Sequence, residues 1–179
     1  MNRSATLWVC ILIAGCGHGE TSDWQRKHEE RLAPAGEALA LPAYPKTDEL
    51  IEFFVAATSE FRFFIDPASL SVGSDGVVRY VLVARSPTGV DNVSFEGMRC
   101  TSAEVRTYAL GHDGAWTGKP GAWRTIEPRS VQRWHNALHR EYFCPQKAPI
   151  GSAREGIDAL RHGGHPFARG FSGDALKQH

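Results

Sequence analysis

From about Thr47 to Pro145, apolar and polar residues alternate with a period of two, in runs separated by glycine-bearing turns. Phe61, Phe63 and Ile65 alternate with Arg62, Phe64 and Asp66. Val78, Tyr80, Leu82 and Ala84 alternate with Arg79, Val81, Val83 and Arg85. Val93 and Phe95 alternate with Ser94 and Glu96, and Val105, Thr107 and Ala109 with Glu104, Arg106 and Tyr108. Successive side chains of a strand point to opposite faces, so this pattern predicts half-buried antiparallel strands. The intervening turns, Gly73 to Gly76, Ser86 to Gly89 and Gly111 to Gly114, are too short for crossovers and predict hairpins in a meander. Val77 to Arg85 is apolar on both faces, as in a central strand covered on both sides. The alternation slips phase between Phe95 and Met98, and a bulge is expected at Gly97.

The period changes in Ser130 to Phe143, where Val131, Trp134, Leu138 and Tyr142 fall on one helical face. Ser130 caps the expected helix and Pro145 stops it. Ser152 to His162 carries a weaker helical signal. Ser152 and Glu155 have capping-box spacing, Ile157 and Leu160 form a thin apolar stripe, and Gly163, Gly164 and Pro166 end it. The expected fold is therefore α+β and mainly β: an antiparallel meander sheet, open or partly closed, with one C-terminal helix packed on it and one disulfide.

The N-terminus obeys other rules. Arg3 precedes the apolar block Leu7 to Ala14, about half the length that spans a bilayer, and Gly15, Gly17 and Gly19 follow at once. A basic start, a short apolar core and small residues at its end form a secretory signal pattern. Ile13-Ala14-Gly15-Cys16 resembles the bacterial lipobox, which implies cleavage before Cys16 and acylation of its thiol and new amine. Three acyl chains anchor a protein firmly where one is marginal. Gly17, rather than Asp, follows the cysteine, which by the lipoprotein sorting rule implies the outer membrane, periplasmic side. Trp24 to Leu32 is highly charged without a core-forming stripe, and Pro34, Pro42 and Pro45 break regular structure. The expected organisation is a signal peptide over 1–15, a lipidated Cys16 and flexible tether over 16–46, a β-rich domain over 47–145, and a partly disordered extension with one short helix over 146–179.

Twenty basic and twenty acidic side chains balance in the 179-residue chain. Such neutrality argues against nucleic acid as a partner, which needs a basic footprint. Of four cysteines, Cys10 leaves with the signal and Cys16 is taken by lipid. Cys100 and Cys144 remain, and in an oxidising compartment the simplest expectation is that they pair. A redox-active or metal-binding pair is the alternative, although no Cys-x-x-Cys is present.

Several stretches resemble one family. Phe63-Phe64-Ile65-Asp66-Pro67-Ala68-Ser69-Leu70-Ser71-Val72, Val78 to Ser86, Val93 to Cys100, Tyr108 to Gly111 and Glu141-Tyr142-Phe143-Cys144-Pro145 are together similar to the cryptic neisserial protein family, small envelope proteins of Gram-negative bacteria that are often predicted lipoproteins. The likeness covers about residues 47–145. It implies no catalytic residues, and it supports the Cys100–Cys144 pairing because both cysteines fall inside matching motifs.

Candidate chemistry is sparse. His135 and His139 are four apart on the expected helix and share a face, a spacing that suits a metal, but no third ligand is near in sequence. His112 sits in a turn. No Gly-x-Ser-x-Gly is present, and Ser94 is expected to face outward. Asp66, Glu96 and Glu104 occupy strand positions where isolated solvent-facing acids are ordinary. Arg79, Arg85, Arg99 and Arg106 are expected to pair with acids across a sheet face; an exposed arginine face also suits an anionic ligand. Trp116 and Trp123 flank a Gly/Pro-rich turn and are expected to be buried. The functional expectation is a lipid-anchored envelope protein acting as a non-catalytic binding or assembly module. No cofactor is expected, and the partners are the membrane through Cys16 and an envelope protein or anionic ligand. The alternative is a metal-dependent or hydrolytic enzyme using His135 and His139.

Overall fold

A computed structural model of the chain describes residues 39–127 and 133–168. Seven strands form one antiparallel sheet: β1 (Ile51–Phe53), β2 (Arg62–Val72), β3 (Val77–Arg85), β4 (Asp91–Arg99), β5 (Glu104–His112), β6 (Ala115–Thr117) and β7 (Arg124–Thr125). Their order is the sequence order from β1 to β6, with β7 pairing the other end of β5, so the sheet is an open meander. The turn glycines close the hairpins as expected. Gly76 and Gly89, at φ +71° and +85°, occupy the left-handed region, which costs a residue without a Cβ little.

The central strand is buried on both faces. Tyr80, Leu82, Val78 and Ala84 join Phe53, Phe63, Ile65, Met98 and the helical residues Leu138, Tyr142 and Phe143 in one core. Val81 and Val83 join Phe64, Val93, Phe95, Tyr108 and Ala109 in a second core on the opposite, outer face. Tyr44, Leu50 and Trp116 pack against that second core, and the Trp116 indole N–H donates to the Pro42 carbonyl (2.8 Å). Pro42 and Tyr44, inside the 16–46 segment that the sequence reading assigns to a tether, thus pack against the sheet. Residues 1–38, with Cys16 and the 1–15 segment among them, lie outside the described residues.

Two irregularities shape the sheet. The bulge is on β5, not at Gly97: Phe95 opposes Ala109 and Glu96 opposes Thr107, leaving Tyr108 as the extra residue. Gly97 itself is regularly paired, with Arg79 on one side and Arg106 on the other. In β2 the register shifts between Asp66 and Ser71, at Pro67, which has no N–H to give the ladder. Ser69 repairs the gap. Its hydroxyl donates to the Asp66 carbonyl (2.7 Å) and accepts from the Val81 N–H (2.8 Å).

Helix α1 (Arg133–Ala137) continues as a wider π-helical turn over Leu138–Phe143. The expected start of this helix at Ser130, with Val131, lies outside the described residues. Cys144, at its end, is bonded to Cys100, one residue past β4, so the bridge staples helix to sheet. A second helix, α2 (Ala153–Arg161), lies where the weaker Ser152–His162 signal places one and is packed against β1 and β2. Ser152 caps it by accepting from the Glu155 N–H (3.2 Å), and the Glu155 carboxylate accepts from the Gly151 N–H.

Candidate functional site

β4 turns a polar pair toward the helices. Tyr80, Leu82 and Ala84 point to the helical face, so their partners Glu96, Ser94 and Asn92 in the β3–β4 register point there too. Ser94 and Glu96 are buried, at 8% and 4% exposure, which corrects the expectation of solvent-facing positions. The α1 helix places His135 above them. The Glu96 carboxylate accepts from the Tyr80 hydroxyl (3.2 Å) and the Ser94 hydroxyl (2.9 Å), and its Oε2 lies 2.8 Å from His135 Nε2. A buried carboxylate is costly unless its lone pairs are satisfied, and three partners satisfy this one. Burial raises the Tyr80 hydroxyl well above its ordinary pKa, so it stays protonated and donates.

Trp134 Nε1 also lies 3.1 Å from His135 Nε2. A ring nitrogen has one in-plane position, so it cannot donate to Glu96 and accept from Trp134 at once. The charge-assisted 2.8 Å contact is the stronger. With the Nε2–H of His135 donated to the Glu96 carboxylate, the Trp134 indole N–H is left to find an acceptor elsewhere.

This network forms the end of a cavity of about 530 Å³. One wall is a ladder of stacked rings: Phe61 on Phe63 (centroids 6.4 Å) and Phe63 on Trp134 (5.1 Å). Leu82 and Ala84 form the floor, and Leu110 the opposite rim. Phe61 and Leu110 are 40% and 55% exposed, two large apolar side chains facing the same opening. The volume and the mixture of apolar walls with a few convergent polar groups are those of a small-molecule site.

The chemistry available there is constrained by order. In a hydrolytic triad the imidazole touches the nucleophile and the carboxylate stands behind it. Here Ser94 touches the carboxylate and the imidazole stands behind, so the hydroxyl does not meet the imidazole.

His135 and His139 do not converge. His139 Nε2 donates to the Cys100 carbonyl (2.9 Å), and both histidines are buried. His112 is exposed beside Asp113. Among the described residues no group of three His, Cys, Asp or Glu side chains is placed to hold a metal. Asp66 is buried at the Pro67 bend, where its side chain accepts from the Ala68 N–H (3.1 Å). Glu104 lies 3.7 Å from Arg99. Arg85 is paired with Asp91 (2.7 Å) and Arg79 with Asp75 (2.5 Å), the first across the β3–β4 hairpin and the second within one turn. Trp116 and Trp123 are half-buried.

A second cavity lies against α2, between Asp158, His162, His165 and Phe167. Among the described residues no helix is long and apolar enough to cross a membrane.

No curated protein and no solved structure matches the chain. Residues 29–161 match the sequence model of the CNP1-like family, over a span that holds the whole sheet, both disulfide cysteines and the groove residues, and the chain belongs to that family.

Proposed function

We propose that this protein is a lipid-anchored binding module on the periplasmic side of the outer membrane, and that the groove between the aromatic ladder and Leu110 is its ligand site. The observation that carries the binding role is the pairing of exposed apolar rims, Phe61 and Leu110, with a buried, fully satisfied Ser94–Glu96–His135 end. The occupant that fits is a small amphipathic molecule. Its flat or acyl portion lies on Phe61, Phe63 and Trp134, and a hydrogen-bond acceptor on it meets the Trp134 N–H. The address rests on Ile13-Ala14-Gly15-Cys16 and on Gly17.

Two measurements test the two halves. Intact mass of protein purified from its own membrane is expected to show loss of residues 1–15 and gain of three acyl chains; an unacylated chain that keeps those residues overturns the anchor. For the groove, the neutral fluorophore N-phenyl-1-naphthylamine is expected to bind saturably at one site. Leu110→Glu should abolish that binding, and Val90→Glu, at another exposed apolar position, should leave it. Equal binding by both variants, or no saturable binding, overturns the site.

A further inference from the structure

The outer face of the sheet holds a different arrangement. Arg79, Gly97 and Arg106 lie side by side on β3, β4 and β5, and Arg99 stands two residues along β4 on the same face. Tyr108 lies between the two outer arginines, with the Arg79 guanidinium 5.9 Å and the Arg106 guanidinium 5.4 Å from its ring centre. Arg99 stacks on Trp123 at 4.0 Å, and Trp123 meets Tyr108 edge-on at 6.5 Å. The result is one layer of three guanidinium groups interleaved with two aromatic rings.

The charges in this layer do not cancel. Asp75 takes the outer nitrogens of Arg79. Glu104 serves Arg99 from 3.7 Å and also accepts from Ser102 (2.7 Å). Among the described residues Arg106 has no carboxylate partner. Its Nε is buried without a hydrogen-bond partner, and so is the Nε of Arg79. Buried donors in folded proteins are nearly always satisfied, and an orphan of this kind needs an account. Stacking on Tyr108 explains where the Arg106 stem lies but gives its Nε–H nothing to donate to, and no side chain among the described residues takes its terminal N–H groups. A planar fork held in place by an aromatic ring, and lacking an acceptor, is preorganised for a tetrahedral or planar oxyanion.

We infer that Arg106, with Arg99 and the Tyr108 hydroxyl, forms a binding site for a phosphate oxyanion on the face opposite the groove, beside the Asp75-paired Arg79. This site is independent of the groove reading. Arg106 is the anchor, Arg99 reaches the anion from its position on Trp123, and Tyr108 fixes the spacing between them.

Trp123 reports on the site. In the full chain, titration with inorganic phosphate at constant ionic strength, kept constant with chloride, is expected to change tryptophan fluorescence saturably. Trp123→Phe should remove the signal. Arg106→Met keeps the apolar stem over Tyr108 and is expected to weaken binding by about tenfold or more, the worth of losing charged hydrogen bonds. Arg106→Lys, which keeps charge without the fork, should fall between. Thermal melts check that each variant folds, and Arg99→Gln gives a second test should Arg106→Met fail. A parallel titration with glycerophosphoglycerol separates the sources: equal binding points to a lipid headgroup, and binding of inorganic phosphate alone to a free phosphate or monoester. A response identical in Arg106→Met, or one that chloride reproduces, overturns the site.

Discussion

The Tyr108 ring lies directly on Gly97. A Cβ built at position 97 falls 2.7 Å from both Tyr108 Cε2 and the hydroxyl oxygen, so the ring occupies space that every other residue type would fill. The β5 bulge turns Tyr108 to the outer face, and the absent side chain on β4 receives it. Gly97→Ala is therefore expected to destabilise the domain by about 1–3 kcal/mol, the usual cost of overpacking. In Gly97→Ala/Tyr108→Ala the clash is gone, so the double variant should lose less than the sum of the singles. Urea denaturation of the four proteins measures it, and strict additivity would refute the contact.

Cys100 and Cys144, 44 residues apart, tie the end of β4 to the end of the π-helical turn. Closing a loop of that length stabilises by roughly 4 kcal/mol in the chain-entropy model. Cys100→Ala/Cys144→Ala is expected to lose about 2–5 kcal/mol. Both sulfur-bearing residues are buried, at 2% and 3% exposure, so a mild reductant should open the bridge only as fast as the domain unfolds. Reduction without loss of tertiary structure would contradict this.

The strands, the hairpin turns, the disulfide and the capped α2 were legible because each rests on a local signal: period-two alternation, turn glycines, a Ser-x-x-Glu spacing. The inward turn of Ser94 and Glu96 was not. β4, like β3, is covered on both faces, so its alternation does not say which side meets the helices. Val93 and Phe95 look like the inner set, and they do face a core, but it is the outer one. The bulge was read at Gly97 because the glycine is visible in sequence, whereas the extra residue on β5 shows only in the register. The His135–Glu96 contact joins residues 39 apart and has no sequence signature.

On the acid side, Arg79 and Arg85 hold the carboxyls of Asp75 and Asp91 below their ordinary range, chiefly through direct hydrogen bonds. A depressed carboxylate adds stability above its unfolded pKa of about 3.9 and loses it as pH falls through the folded value. Stability should therefore fall from about pH 5 downward. Asp75→Asn/Asp91→Asn is expected to flatten that limb, by no more than about 1 kcal/mol for each partly exposed pair. An acid limb unchanged in the double variant would remove both pairs as its cause.

On the alkaline side, burial pushes the Tyr142 hydroxyl up to about 12. This hydroxyl donates to the Phe54 carbonyl and accepts from the Phe54 N–H, both at 3.2 Å, tying the π-helical turn to the end of β1. A raised folded pKa gives stability that is complete below the unfolded value near 10 and lost as pH rises toward 12. Ultraviolet titration should show a phenol ionising near 12 that is absent in Tyr142→Phe; a titration curve unchanged in the variant would overturn this assignment.

Glu96 and His135 offer the sharpest separation of charge from hydrogen bonding. Glu96→Ala strips the Tyr80 hydroxyl, the Ser94 hydroxyl and His135 of their common partner; His135 Nε2 can turn to the Trp134 N–H, but the two buried hydroxyls are left unsatisfied. The expected loss is about 3–5 kcal/mol, as for other broken buried pairs. Glu96→Gln keeps the shape and one acceptor oxygen. Its amide takes the place of Oε2, facing both His135 Nε2 and Tyr80. The imidazole answers by moving its proton to Nδ1, so that Nε2 accepts, and the Tyr80 oxygen accepts the second amide N–H while its own O–H loses its acceptor. The cost should then be only about 1 kcal/mol. Chemical denaturation of the two variants at neutral pH compares them directly. If Glu96→Gln loses as much as Glu96→Ala, the negative charge itself holds His135 in place; if it loses little, the cluster is a hydrogen-bond scaffold that keeps the end of the groove rigid.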